Sequence, residues 1–470
     1  MLEKMANVFR IPDLRKRILF TLALLAVYRL GGHIPTPGIN SDLLQKFFEQ
    51  QTGGTILGFV DLFSGGQLRR LTVFALGIMP YITASIILQL LTVVYEPLAK
   101  LQKEGELGRK KITQWTRYLT IILSVAQSFG IAEMLMRSTA EGTPFVTNPG
   151  WGFIGMTILT LTAGSAFVMW LGEQITERGV GNGMSLLIFA GIVVGLPRAV
   201  YDLIIKAKNA EWGPFTVPAM VMLVALMIIV VAFIVYVERS ERRIPVQYAK
   251  RVVGRKIMGG QSTHLPLRVN SGGVMPVIFA SSILTLPQTA AAIPWVQNSR
   301  FFKPMLDALK WGEPLYTLLY ALGIVFFAYF YVSIVFNPNE VADNMRKYGG
   351  FVPGIRPGAR TAEFINAILT RITLVGALYL IIISFIPEWM IAGIHLQNLP
   401  VWLGGRFFDA SMPNWVLHGL GVNFYFGGTS LLIVVGVAMD TIQQVEAQLI
   451  MRHYEGFTPR SGRIRGRRAW

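Results

Sequence analysis

Residues 217–237 read VPAMVMLVALMIIVVAFIVYV, twenty-one positions without a charge. A helix rises about 1.5 Å per residue and the hydrocarbon core of a bilayer is about 30 Å thick, so roughly 20 such residues cross it. Nine further apolar segments lie on either side: 18–32, 74–94, 115–136, 153–171, 184–200, 274–292, 315–336, 372–394 and 426–442. The segments 18–32, 184–200 and 426–442 are short or interrupted by glycine, so their ends are the least defined. The whole chain agrees with this pattern. Hydrophobic residues make up 53% and charged residues 15%, against about 25% charged in a soluble domain. With so little polar cover, the 470 residues read as one membrane-embedded domain rather than several soluble ones.

The loops test the count. Ten spans place both termini on one side. Thirty-one of the 43 Lys and Arg fall on that side, in 1–17, 95–117, 172–183, 238–273, 337–371 and the tail from 443. Eleven fall on the other side, counting Arg198 at the end of its span, and Arg29 stands inside the first span. The positive-inside rule makes the richer side cytoplasmic, and the net charge of +17 becomes a consequence of topology rather than a nucleic-acid footprint. The first span is expected to stay uncleaved, because a rigid HIPTPG turn at 33–38 follows it where a signal peptide would have small residues.

Little in the chain suggests catalysis. Cysteine is absent, which removes disulfides, thiolate nucleophiles and thiolate-bound metal. His33, His264, His395, His418 and His453 lie in loops or the tail, in no metal-binding spacing. Gly179-Val180-Gly181-Asn182-Gly183 follows no strand and reads as a tight turn, and no phosphate-binding loop occurs. We therefore expect neither an enzyme nor a cofactor or metal.

Two features exceed a plain bundle. Residues 55–71, TILGFVDLFSGGQLRRL, are apolar yet carry Asp61, Arg69 and Arg70. Such a segment has to pack inside protein or line a wet cavity, or else lie as an amphipathic helix on the bilayer surface. The loops 238–273 and 337–371 are long for a bundle, and their Gly, Pro and aromatic residues favour ordered hairpins. A five-plus-five division would give inverted halves enclosing a path at their interface, although no similarity between the halves stands out in the sequence. An ion-coupled transporter of small solutes is the alternative, but charged groups inside the spans, which mark ion routes, are scarce here. A passage for a large, varied substrate asks instead for an apolar constriction that does not hold what passes.

Several stretches together carry a specific resemblance: GIMPYITASI at 77–86, RGVGNGMS at 178–185, QSTHLPL at 261–267, IFASS at 278–282, Asn337-Pro338 followed by GIRPG at 354–358, and GGTSLLI at 427–433. In this order and spacing the chain resembles the SecY family, the central subunit of the bacterial Sec translocase, over essentially its full length. The resemblance implies an all-α polytopic membrane protein, with ten transmembrane helices in two pseudo-symmetric five-helix halves that open like a clamshell around an hourglass pore. It also implies a protein-conducting channel of the inner membrane, passing unfolded preproteins outward and releasing apolar segments sideways into lipid.

It further implies roles for particular residues. The pore ring falls on Ile82, Ile86, Ile188, Ile192, Ile278 and Ile433, of which 82/86 and 188/192 share a helix face. The plug is 55–71, with Leu57, Phe59, Val60, Asp61, Leu62, Phe63, Leu68 and Arg69; its apolar faces are expected to pack in the funnel while Asp61, Arg69 and Arg70 stay wet. The lateral gate for signal sequences falls on Thr92, Gln127, Ser282 and Leu286. Docking of ribosomes and the SecA motor falls on Arg251, Arg255, Lys256 and Arg356, with the small subunits SecE and SecG as partners. The expected division is an amphipathic segment 1–17, a first half 18–200, a connector 201–216, a second half 217–442 with docking loops 238–273 and 337–371, and a basic tail 443–470. The tail ends in RGRRAW, which lies outside the resemblance and suits a ribosome or anionic lipid.

Overall fold

A computed structural model describes residues 11–51, 61, 64–137, 139–140, 143–208, 216–248, 251–253, 256–258, 263–290, 302–309, 313–392 and 428–455. Each of the ten apolar segments falls largely on a helix, although residues 74–78 form turns ahead of theirs. In the first half these are α1 (Pro12–Gly31), α2 (Met79–Val94), α3 (Glu106–Arg137), α4 (Trp151–Arg178) and α5 (Gly183–Lys208). In the second they are α6 (Thr216–Arg239), α7 (Met275–Ala290), α8 (Pro314–Val335), α9 (Ala359–Ala392) and α10 (Gly428–Glu455). Among the described residues α3, α4, α6, α8, α9 and α10 are long and apolar enough to cross a membrane, and α2 joins them if its bent continuation is included. The shorter apolar stretches in α5 and α7 end near Pro197 and Pro287.

Several helices outrun their apolar runs, because a helix continues through polar residues once its hydrogen-bond ladder is established. α3 begins at Glu106 instead of 115, α5 runs on to Lys208, α9 begins at Ala359 instead of 372, and α10 carries on to Glu455 into the expected tail. The expected loop after α2 contains a further helix, Glu96–Lys103, which leaves α2 at an angle of 104°. Pro97 lacks the N–H that would continue the ladder, so the axis breaks at Tyr95.

The first long loop forms the expected hairpins. β3 (Glu241–Tyr248) pairs antiparallel with β6 (Thr263–Arg268), and β4 (Arg251–Val253) pairs with β5 (Lys256–Met258) at its tip. The second loop departs from a hairpin. It holds a helix, Pro338–Lys347, capped where Asn337 Oδ1 accepts the Asn339 N–H at 3.2 Å, and then a strand, Gly350–Phe351, that adds to β3 as a third strand. These small sheets supplement an otherwise helical body. In the first half, β1 (Thr139–Ala140) and β2 (Thr143–Pro144) form a short hairpin after α3.

The halves repeat one another. Within the first, α1 packs mainly on α4 and less on α5, α2 on α3, α3 on α4 and α4 on α5; within the second, α6 packs on α10, α7 on α8, α8 on α9 and α9 on α10. Apart from the α1–α4 contact, which has no comparable counterpart between α6 and α9 among the described residues, adding five to each helix number converts the first set into the second. Between the halves α5 meets α10 on one side, and α2 meets α7 on the other. The correspondence of α2 with α7 is echoed along the chain: GIMPYITAS at 77–85 answers GVMPVIFAS at 273–281. Gly77 and Gly273 have φ of 54° and 57°, a conformation that favours glycine. Four positions earlier, the Val73 carbonyl lies against Gly164 of α4, where a Cβ would sit 1.9 Å from its oxygen, and the Val269 carbonyl lies against Gly376 of α9, where a Cβ would sit at 2.8 Å.

Candidate functional site

The six isoleucines assigned to the ring come from α2, α5, α7 and α10, and all belong to one buried hydrophobic cluster at the centre of the bundle. None exposes more than 6% of its surface. A cavity lies on each side of them. Towards the sheet, a cavity of about 410 Å³ is lined by Tyr81, Ser85, Gln89, Glu173 and Tyr331, with Ile82, Ile188 and Ile278 among its walls. Towards the far ends of α1 and α5, a second cavity of about 200 Å³ is lined by Arg29, Gln67, Arg69 and Gly191, with Ile192 among its walls. Ile188 faces one cavity and Ile192 the other, only one helical turn apart, or about 6 Å of rise. A thin apolar layer therefore separates the two cavities. Side chains of this kind offer no hydrogen bond to a passing backbone, and a narrow apolar constriction expels water.

The 200 Å³ cavity is bounded by the end of the expected plug. Of the plug residues, Leu57, Phe59, Val60, Leu62 and Phe63 lie outside the described residues. Asp61 and Arg69 were expected to stay wet and do not: they form a buried ion pair, 1% and 6% exposed, while Arg70 is exposed and donates to Gln45 Oε1 at 3.3 Å. Burial is tolerated because the charges neutralise each other and the carboxylate gains further donors. The Arg69 N–H reaches Asp61 Oδ1 at 3.1 Å, and the Asp61 backbone carbonyl accepts from Gly66 N–H and Ser64 Oγ. Leu68 packs with Leu71, Leu44 and Phe153 in a satellite core.

Gly65, at φ 73°, seats this segment on α5, because a Cβ there would lie 2.8 Å from the Gly191 Cα and 2.9 Å from an Arg29 nitrogen. Gly191 and Arg29 were not among the expected site residues, although a charge inside an apolar span was a legible sign for Arg29. The sheet-side funnel carries a second omission. Arg117 of α3 and Glu173 of α4 form a two-pronged ion pair at 2.8–2.9 Å, and their positions near span ends had counted them only as loop charges.

Of the expected gate residues, Thr92 of α2 and Ser282 of α7 are buried, and Gln127 of α3 is half-buried. Thr92 Oγ1 donates to the Gln89 carbonyl at 2.7 Å. Leu286 lies further along α7. Of the docking residues, Arg251 and Lys256 sit on β4 and β5, whereas Arg255 lies outside the described residues. Arg356 is exposed on a turn bounded by Gly354 and Gly358, both with positive φ, and its carbonyl accepts from Thr361 Oγ1 at 2.9 Å.

Comparison with known proteins gives one answer. Residues 72–442 match a family model described as SecY. The Protein translocase subunit SecY of Escherichia coli strain K12 is 48% identical over 447 residues, covering 94% of this chain and 93% of that protein. A solved structure described as showing that the plug domain of the SecY protein stabilises the closed state of the translocation channel and maintains a membrane seal aligns with a TM-score of 0.62 at 17% identity, covering 94% of each chain. Sec61 in the canine ribosome-channel complex from the endoplasmic reticulum aligns with a TM-score of 0.57 at 17% identity, again covering 94% of each chain. At these identities the solved structures establish the shared fold.

Proposed function

The chain belongs to the SecY family, and from that premise we propose that it is a protein-conducting channel of the bacterial inner membrane. It passes unfolded preproteins through the isoleucine waist and releases apolar segments sideways between α2/α3 and α7. The single observation that carries this is the buried cluster holding all six isoleucines, with a cavity on each side of it. Such a constriction suits a substrate of varied sequence and gives a small ion nothing to bind, so the ion-coupled transporter is set aside.

In this reading ten helices span the bilayer with both termini and the sheet in the cytoplasm. The expected divisions at 18–200, 201–216 and 217–442 become two hinged halves with their connector. Ile82, Ile86, Ile188, Ile192, Ile278 and Ile433 seal around the moving chain. The segment 55–71 closes the outer funnel, held by the Asp61–Arg69 pair and the Gly65–Gly191 contact. Thr92, Gln127, Ser282 and Leu286 belong to the seam. The sheet and the Arg356 turn dock the ribosome or the SecA motor, as the canine relative's description and the basic cluster at 250–256 favour, and SecE and SecG complete the complex. The channel does mechanical work supplied by its partners and catalyses no reaction itself.

The test uses the absence of native cysteine. A single cysteine replaces Ile82, Ile278 or Ile433, and a preprotein carrying a thiol-reactive probe is stalled in transit. Cross-links to all three positions are expected; a stalled preprotein that reaches none of them refutes the channel reading.

A further inference from the structure

Between β6 and α7 the chain runs through a strap, residues 268–274, which the proposed function leaves without a role. It is built more firmly than a connector needs. The Val269 N–H donates to the Ser240 carbonyl at 3.0 Å, extending the β3–β6 pairing to the end of α6. Asn270, 5% exposed, donates from Nδ2 to Glu238 Oε1 at 2.6 Å and to the Gly273 carbonyl at 3.1 Å. The strap also lies in notches cut by glycine. The Val269 carbonyl rests on Gly376 of α9, and Val274 fills the space at Gly436 of α10, where a Cβ would lie 2.4 Å from Val274 Cγ2. Arg268 reaches Asp440 at 3.5 Å and Gln443 on α10, an exposed and weaker contact.

The strap meets the pore at both ends of its grip. Val274 is one turn from Ile278 on α7, and Gly436 is three residues from Ile433 on α10. A displacement of the sheet thus has no slack to absorb it before the ring and the seam. Coupling between distant sites is carried by packed, rigid elements of this kind.

We propose that the strap 268–274 transmits movement of the docking sheet to the pore, and that Asn270, held by Glu238, is its positioning residue. The inference rests on the channel reading above. Removing the Asn270–Glu238 bond leaves docking intact but lets the sheet move without carrying α7 along.

The whole complex in vesicles tests it, with preprotein transport measured over a range of motor concentrations. Asn270→Asp sets two carboxylates against each other, and the maximal rate is expected to fall by about fivefold or more, the lower end of typical site-to-site coupling, with the half-saturating motor concentration unchanged. Glu238→Gln keeps an acceptor and stays near wild type. The double variant Asn270→Asp/Glu238→Gln exchanges donor and acceptor across this bond, gives up the bond to the Gly273 carbonyl, and recovers most of the rate. Should Asn270→Asp fail to accumulate, Asn270→Ala is read in the same way. A wild-type rate in the single variant, a loss confined to motor affinity, or no recovery in the double variant overturns the proposal. Failure of the wild-type complex to transport would instead sink the channel reading.

Discussion

The segments joining α1 to α2 and α6 to α7 hold equivalent places in the two halves and have opposite fates. Both end in the same device: a valine carbonyl on a helix glycine, a positive-φ glycine, and Met-Pro opening a helix that carries a ring isoleucine. The first folds inward, with Asp61, Ser64, Leu68 and Arg69 buried against α1, α3, α4 and α5. The second projects as a twisted hairpin of alternating burial, Ile244 and Val246 inward and Arg242, Arg243 and Gln247 outward. An inverted repeat sets equal insertions at opposite ends of the bundle; composition then decides which fills the funnel and which stands in solvent. Charge is present in both. The inner insertion pairs its charge within itself, and the outer one spreads it over an exposed face.

The sharpest break in this comparison is removal of one insertion. Deleting 58–68 is expected to turn a sealed resting channel into a conducting one in a planar bilayer, while the pore helices stay folded; a silent bilayer would detach the inner insertion from sealing. Next come the charges. Arg69→Ala strands a buried carboxylate and is expected to cost about 3–5 kcal/mol, read as a lower unfolding midpoint and a leak. Arg268→Ala, at an exposed pair, is expected to cost no more than about 1 kcal/mol. Equal losses at the two arginines would refute the contrast between a buried and a solvated insertion.

The shared device supplies finer tests. Gly164→Ala should destabilise more than Gly376→Ala, because its Cβ meets a carbonyl oxygen at 1.9 Å rather than 2.8 Å. Gly77→Ala and Gly273→Ala should each cost about 1–2 kcal/mol for a left-handed conformation, and by nearly the same amount. A clear inequality in thermal shift would mean that the two halves do not share this turn. At the exposed 354–358 turn, proposed to dock a partner, Arg356→Glu is expected to weaken partner-driven transport and change stability by no more than about 0.5 kcal/mol, as for other exposed positions.

Much of the fold was legible because lipid imposes a simple rule. Every long apolar run became a helix at its expected place, and the ring isoleucines, known only by resemblance, gathered into one core. The misreadings cluster where hydropathy falls silent. The polar starts of α3 and α9 went unseen because apolar runs do not record how far a helix continues into water. The wetness of Asp61 and Arg69 was misjudged because a charge looks solvent-seeking until its partner, eight residues along a turn with two positive-φ glycines, is in view.

The sequence alone therefore determined the membrane-embedded, mainly helical class and the rough place of the apolar helices, since each follows from transfer energies counted along the chain. Which helices touch, where Gly65 meets Gly191, how the Val73 and Val269 carbonyls rest on helix glycines and what Asn270 holds belong to the tertiary structure alone. Those depend on close approach between residues far apart in the chain, and close packing is a property of pairs that no single segment carries.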